Sequence, residues 1–299
     1  MNEDDAREAA SMIDDRIFPG LPGSSALMPM ARQKFRPLAL CAGLMIGLSA
    51  CAGGGAHVTP AYQPQASTQD IDALLRLGDG LLQRGETKTA IAMYQRAAIQ
   101  SQDAKVLVRL GRALSRAGVH DQAAGAFRRA LASEPGHPDA LLGVGTSYLA
   151  TGELDKSLQY LEQLLDQSDG SDPIPYRALG AALDVAGRNE QAVLTYKAGL
   201  ERFPSDLDLK SNLALSYALY GRQVDAIELM IEVADALEAN RDHHRNLVLV
   251  YALAGQDREA VVIGRRLLGD GDTRDVLRQA EGLRALQSGQ DRARALGVG

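Results

Sequence analysis

Histidine and cysteine are the side chains most often found at metal and catalytic sites, and this chain uses both sparingly. It has five histidines and two cysteines in 299 residues. The histidines are spread along the chain at positions 57, 120, 137, 243 and 244. None stands with a cysteine or a carboxylate at the spacing that a zinc site requires on one helix face. The sequence therefore predicts no metal site, and no pattern in it calls for a cofactor.

Two other patterns with catalytic potential are incomplete. Residues 80–87 read GLLQRGET, close to the phosphate-binding loop G-x-x-x-x-G-K-[ST]. However, Glu86 stands where that loop needs a lysine, and no strand pattern precedes the segment. No serine has the sharp glycine-flanked turn of a hydrolase nucleophile. We predict that the protein is not an enzyme.

Cys51 indicates a different kind of chemistry, covalent lipidation. Basic residues within 32–36 precede an uncharged run over 37–50, which is too short to span a membrane. The run ends Leu-Ser-Ala before Cys51, which resembles the lipobox of bacterial lipoproteins. That resemblance implies cleavage before Cys51 and acylation of its thiol and new amine. A chance cysteine in an apolar run is the alternative.

The lipobox resemblance implies that residues 1–69 are divided into three segments. Residues 1–29 are acidic and read as a misannotated leader, with translation starting at Met28 or Met30. Residues 30–50 would then be a signal peptide, and residues 51–69 a lipidated flexible tether rich in Gly, Pro, Ser and Gln. An alanine rather than an aspartate follows Cys51. In lipoprotein sorting this implies the outer membrane, with the protein facing the periplasm.

A repeat of about 34 residues organises most of the remaining chain. A turn glycine recurs as Gly85, Gly118, Gly152, Gly187, Gly221 and Gly255. Seven places before these glycines the residues are Gly, Gly, Gly, Gly, Ala and Val, and five places after them they are Ala, Ala, Ser, Ala, Ala and Ala. The apolar residues between these landmarks have helical spacing, as in Leu107, Leu110 and Leu114. The pattern resembles the tetratricopeptide repeat.

This resemblance implies an all-α, right-handed superhelical solenoid. We place about six helix-turn-helix repeats in residues 70–271 and a C-terminal capping helix in residues 272–287. Residues 288–299 are expected to be a disordered tail.

Composition and charge restrict the class of partner. The formal net charge is −6, and aromatic residues make up 4% of the chain. Sequence-independent binding of nucleic acid requires an excess of basic residues, and base stacking requires aromatic rings. We therefore expect protein partners and no nucleic acid.

The tetratricopeptide resemblance also implies a concave groove lined by the second, fifth, ninth and twelfth places of each first helix. The apolar residues at these places are Leu75, Leu82, Val108, Leu142, Leu149, Ile174, Leu215 and Leu249. The polar ones include Asp72, Asp79, Arg112, Asp139, Arg177, Asp184, Asn212, Arg245 and Asn246. Some of the leucines are expected to belong to the packing core instead.

The polar groove positions do not match the members of the family that clamp a terminal carboxylate. Those members use lysine, arginine and asparagine, whereas Asp72, Asp139 and Asp208 stand at second places here and Ala181 at a ninth. The groove is therefore expected to bind an apolar or amphipathic helical segment.

The late repeats narrow the possible functions. They read NLALSYALYGRQVDAIELM and NLVLVYALAGQDREAVVI. Behind a lipobox, they resemble the TadD-type tetratricopeptide lipoprotein of tight-adherence (Flp) pilus assembly. That resemblance implies a scaffold that stabilises or localises a secretin, with secretin or pilus-assembly components as partners. Two alternatives stay open: an adaptor for envelope enzymes or outer-membrane barrel assembly, and a type IV pilus or secretin pilot protein.

Overall fold

The computed structural model describes residues 68–297. Cys51, the proposed signal peptide and most of the proposed tether lie outside this range. Fourteen helices and no strands are found within it, and the all-α fold class is confirmed. The helices are Thr68–Gln83 (α1), Thr87–Gln100 (α2), Ala104–Arg116 (α3), His120–Ser133 (α4), Pro138–Ala150 (α5), Leu154–Gln167 (α6), Ile174–Val185 (α7), Asn189–Arg202 (α8), Leu207–Leu219 (α9), Gln223–Asp235 (α10), Arg241–Leu253 (α11), Asp257–Leu267 (α12), Asp270–Ala285 (α13) and Gly289–Leu296 (α14). No helix among these residues is long and apolar enough to cross a bilayer.

Each repeat is a hairpin of two helices joined at a turn glycine. In the second repeat, Leu107, Leu110 and Leu114 are buried along one side of α3. Gly118 then ends the hairpin turn with φ +70°, a left-handed conformation that costs glycine little. The other five turn glycines have φ between +76° and +90°. The repeated glycines therefore mark the turns, as the sequence pattern predicts.

A small residue on the first helix of each hairpin makes room for a large residue on the second. A Cβ placed on Gly111 would lie 2.7 Å from the Phe127 ring. The same arrangement pairs Gly78 with Tyr94, Gly145 with Leu161 and Gly180 with Tyr196. The fifth repeat has Ala214 and Met230 at these places, and the sixth has Val248 and Gly264, all of them buried. In the sixth repeat the larger residue of the pair is therefore on the first helix and the smaller one is on the second.

The hairpins stack through their first helices. Each of α3, α5, α7, α9 and α11 packs against its own second helix, the preceding second helix and the next first helix. Two hydrophobic clusters run through the stack and meet at α5. Ala140, Val144 and Tyr148 belong to the N-terminal cluster, whereas Leu141, Leu142 and Leu149 belong to the C-terminal one. A solenoid needs no single central core, because each repeat is covered by its neighbours.

The C-terminal end differs from the expected disordered tail. Residues 289–296 form α14, in which Ala293 and Leu296 are fully buried. The Ser288 hydroxyl caps this helix by accepting the backbone N–H of Asp291 at 3.0 Å. α14 packs against α7 and α9 as well as α13. The tail prediction is therefore wrong for these residues, because the contacts that order them come from 70 to 110 residues earlier in the chain.

Candidate protein-binding surface

Most of the apolar residues predicted to line the groove are in the core. Six of the eight are 5% exposed or less: Leu75, Val108, Leu142, Leu149, Leu215 and Leu249. Leu82 and Ile174 are half-buried and pack at the edges of the clusters. Neighbouring first helices lie side by side, so they cover one another's apolar residues. The surface of the first-helix layer is therefore mainly polar.

Six of the nine predicted polar residues take part in a series of contacts between neighbouring repeats, which we call the inter-repeat ladder. Its pairs are Asp79–Arg109, Arg112–Asp139, Arg177–Asp208, Asp208–His243, Ser211–Asn246 and Arg245–Gln279. Each pair joins one first helix to the next. Arg112 and Asp139 lie 2.8 Å apart with nearly half of each side chain exposed. Asn212 is half-buried on α9, beside the ladder residue Ser211.

Asp208 is the centre of the longest ladder segment. It pairs with Arg177 on α7, and its Oδ1 lies 3.0 Å from Nε2 of His243 on α11. The hydrogen bond to His243, together with the Arg177 charge, lowers the pKa of the Asp208 carboxyl. His243 is also held at Nδ1, which accepts the backbone N–H of Asn240 at 3.2 Å. Its Nε2 therefore carries the proton and donates to Asp208.

A terminal carboxylate would compete with acidic residues of the chain for the arginines of the ladder. Asp139 and Asp208, which stand where the carboxylate-binding members have other residues, are paired with Arg112 and Arg177. These arginines already have a carboxylate partner within the chain. A second carboxylate would have to displace it.

Asp184, predicted to be a groove residue, is buried at the end of α7. Its side chain accepts from the Ser216 hydroxyl at 2.8 Å, from Nδ2 of Asn189 at 3.2 Å and from the Tyr196 hydroxyl at 3.3 Å. Within residues 68–297, no cation pairs with it. Burial raises the pKa of Asp184 to about 7, because its three hydrogen-bond donors only partly offset the loss of solvent. Sequence reasoning missed this cluster because Ser216 lies 32 residues away.

A second surface lies at the C-terminal ends of α7 and α9, where α14 covers it. We call this the helix dock and define it as Val185, Gly187, Leu219 and Tyr220. The Val185 carbonyl accepts from Nε2 of Gln290 and from Nε of Arg294, both at 3.3 Å. The Leu219 carbonyl accepts from Nε and Nη2 of Arg292 at 2.9 and 2.6 Å. None of the dock residues was predicted to bind anything.

Side chains also fill the space between α14 and the dock. A Cβ on Gly289 would lie 2.5 Å from the Tyr220 ring, so only glycine fits there without movement. The Tyr220 hydroxyl donates to the Asp184 carbonyl at 2.8 Å, which fixes the ring in place. Burial raises the pKa of Tyr220 to about 12, so the hydroxyl stays a donor at neutral pH.

The described residues show no grouping suited to metal chemistry. Between 68 and 297, no set of three or more His, Cys, Asp or Glu side chains is arranged to hold a metal ion. The polar side chains of the ladder and the dock make hydrogen bonds and ion pairs between helices. Such an arrangement can bind a polypeptide by exchanging these contacts for contacts with a partner.

Comparison with known proteins identifies the fold. The family described as the middle TPR-like domain of cilia and flagella-associated protein 70 matches residues 74–204. The peroxisomal targeting signal receptor of Kluyveromyces lactis is 30% identical over 94 residues, which span 31% of this chain but only 16% of the receptor.

Two solved structures resemble most of the solenoid. A tetratricopeptide repeat protein from Parabacteroides merdae superposes with a TM-score of 0.62 at 15% identity, covering 75% of this chain and 87% of that one. Pseudomonas aeruginosa pilF gives a TM-score of 0.53 at 20% identity, covering 71% of this chain and 98% of that one. At these identities the likeness concerns the fold. Residues 68–297 therefore have the fold of tetratricopeptide-repeat proteins.

Proposed function

We propose that this protein is a lipid-anchored scaffold of the bacterial outer membrane, facing the periplasm, that assists assembly of a tight-adherence (Flp-type) pilus or secretion machine. One observation carries the proposal. A lipobox-like cysteine, Cys51, stands 17 residues before the solenoid begins at Thr68. The intervening residues could span roughly 55 Å when extended. A solenoid held at that reach would meet proteins close to the membrane surface.

The surface chemistry supports reversible binding. Because six of the apolar groove residues are buried, a partner would meet the polar ladder and the helix dock instead. Exposed ion pairs contribute little to stability, typically 0 to about 1 kcal/mol, so a charged partner can replace them at low cost. A secretin or another pilus-assembly component held in this way could be released once assembly is complete.

A gene deletion with complementation tests the proposal. We expect the deletion to abolish surface pili and to lower secretin multimers in outer-membrane fractions. The wild-type gene should restore both. The ladder variant Arg112→Ala with Arg177→Ala should restore neither the pili nor the secretin multimers, although its protein level in membranes stays normal.

The matched control changes two arginines of second helices. Arg128→Ala with Arg266→Ala removes the same charge from exposed positions on α4 and α12, away from the ladder. It should complement like the wild type. Normal pili and normal secretin levels in the deletion strain would overturn the proposal and leave an adaptor for envelope enzymes or barrel assembly in its place.

A further inference from the structure

The seventh hairpin differs from the other six in where its second helix packs. α13 stacks on α11 as a first helix should, and a second helix would be expected to fold back against α13. The repeat register places a turn glycine at Gly289, but this residue begins α14 and has no left-handed φ. α14 instead runs to α7 and α9, two first helices that lie two and three repeats earlier.

The contacts of α14 resemble those of a bound peptide more than those of a core helix. It has eight residues, and its only buried hydrophobic side chains are those of Ala293 and Leu296. Helices this short are not stable by themselves in water, so docking must hold α14 in its helical form. Most of the polar contacts are arginine or glutamine side chains donating to backbone carbonyls.

The helix dock is suited to a basic ligand. Its acceptors are carbonyls in the last turns of α7 and α9, where the helix dipoles place partial negative charge. The positively charged guanidinium groups of Arg292 and Arg294 donate hydrogen bonds to these carbonyls. The small residues Gly289 and Ala293 keep the face of α14 narrow enough to approach the dock.

We propose that the helix dock is a binding site for a basic, alanine- and leucine-bearing helical segment of a partner protein, and that α14 occupies this site until the partner displaces it. The inference rests on the proposed scaffold function and specifies the class of partner. It differs from the groove predicted from sequence, because the dock lies at the turn ends of the first helices. None of the predicted groove residues forms it.

A peptide-binding measurement on the full chain tests this inference. The probe is a fluorescein-labelled peptide with the sequence of residues 287–299, QSGQDRARALGVG. Arg292→Ala should release α14, because it removes both hydrogen bonds to Leu219 and the bond to Leu286 at 3.1 Å. We expect the peptide to bind this variant at least tenfold more tightly than the wild type. A peptide with alanine in place of its own arginine at 292 should bind the variant at least tenfold more weakly than the original peptide.

Two further variants make the result decisive. Gly289→Leu should also release α14, through the clash with Tyr220, and serves if Arg292→Ala does not fold. Arg278→Ala is the matched control, because Arg278 pairs with Asp275 within α13 and does not contact the dock. It should bind the peptide as the wild type does. Hydrogen exchange of the α14 amides reports release directly.

The inference is overturned if α14 exchanges rapidly in both releasing variants and the peptide still does not bind. It is equally overturned if α14 stays protected in both, because the dock contacts would then not be what holds it. Either result leaves the pilus and secretin experiment unaffected. Conversely, normal pili in the deletion strain would not change the peptide result.

Discussion

At the scale of single residues, two positions sixteen residues apart share the space between the two helices of a hairpin. Where the side chain at one position is small, the side chain at the other is large. Gly111 with Phe127 is one solution, and Ala214 with Met230 is another. Both pairs fill the same place in their repeats, and Phe127 is 1% exposed while Met230 is fully buried. The small residue is therefore a steric requirement set by its partner, since interiors are packed with few voids.

Gly111→Ala should destabilise the protein by about 1–3 kcal/mol, because the new methyl group would overlap the Phe127 ring. Phe127→Met in the same chain copies the pair of the fifth repeat and should recover part of the loss. Urea denaturation of both single variants and the double variant gives the coupling energy. Strictly additive effects would mean that the two side chains do not share this space.

Asp184 is an acid whose buried environment differs greatly from water. With a folded-state pKa of about 7 and an unfolded value near 3.8, it holds a proton in the folded state that the unfolded chain has released. Its contribution to stability is therefore fully present below about pH 4 and is lost as the pH rises through 7. The hydroxyl and amide donors around it orient the carboxyl but leave it without a compensating positive charge.

Asp184→Asn should remove this pH dependence. Relative to the wild type, the free energy of unfolding of the variant should rise by about 2 kcal/mol between pH 5 and pH 7. Thermal or urea unfolding of both proteins at several pH values measures the difference. Burial lowers the pKa of His120, which titrates with the opposite sign, but this residue is common to both proteins and cancels. Parallel curves for the two proteins would show that Asp184 is ionised in the folded state.

At the scale of helices, the ladder ties neighbouring first helices together. Asp208 on α9 contacts both Arg177 on α7 and His243 on α11, so one side chain spans three repeats. Repeat proteins gain stability from nearest-neighbour interfaces, and this residue serves two of them. The side chain of His243 is 6% exposed, so its hydrogen bond to Asp208 is the part of the segment least accessible to water.

Asp208→Ala should destabilise the protein by about 1–3 kcal/mol, because Nε2 of the buried His243 would lose its acceptor. Asp72→Ala is the matched control, since Asp72 is an exposed acid at the equivalent place on α1. Its effect should stay within about 0.5 kcal/mol. Equal effects of the two substitutions, measured by urea denaturation, would contradict a structural role for the Asp208–His243 contact.

At the scale of the whole molecule, the proposed anchor precedes the solenoid and α14 folds back onto its later repeats. Acyl chains contribute roughly 0.8 kcal/mol per buried CH₂, so several chains on one residue hold a protein firmly at a membrane. The first-helix layer would remain accessible in the repeats that α14 does not contact. An anchored scaffold of this kind could hold a partner near the bilayer without any chemical step.

Cys51→Ser should abolish palmitate labelling and move the protein out of membrane fractions. Cys41→Ser is the control, because Cys41 lies within the apolar run that the signal peptidase would remove. Labelling should persist in that variant. Unchanged labelling of Cys51→Ser would rule out a lipoprotein and, with it, the proposed location.

The sequence by itself determined the repeat, the turns and the fold class. A glycine at a left-handed turn, a small residue opposite a large one and a helical stripe of leucines are local requirements. They recur every 34 residues or so and can be read without knowing any distant contact. The placement of Gly118 and of Gly111 followed from this pattern, and the structure shows the physical reason for both.

Only the tertiary structure decided which surface a partner could meet. The register placed Leu142 and Leu215 on the first helices, but the closeness of neighbouring repeats buries them. The ladder, the Asp184 cluster and the dock each join residues that are about 30 to 110 positions apart. The α14 segment is short and polar, so its helix depends on packing against α7, α9 and α13 and on the carbonyls that α7 and α9 present to its arginines. Contacts of this kind depend on how the repeats stack, which local periodicity does not specify.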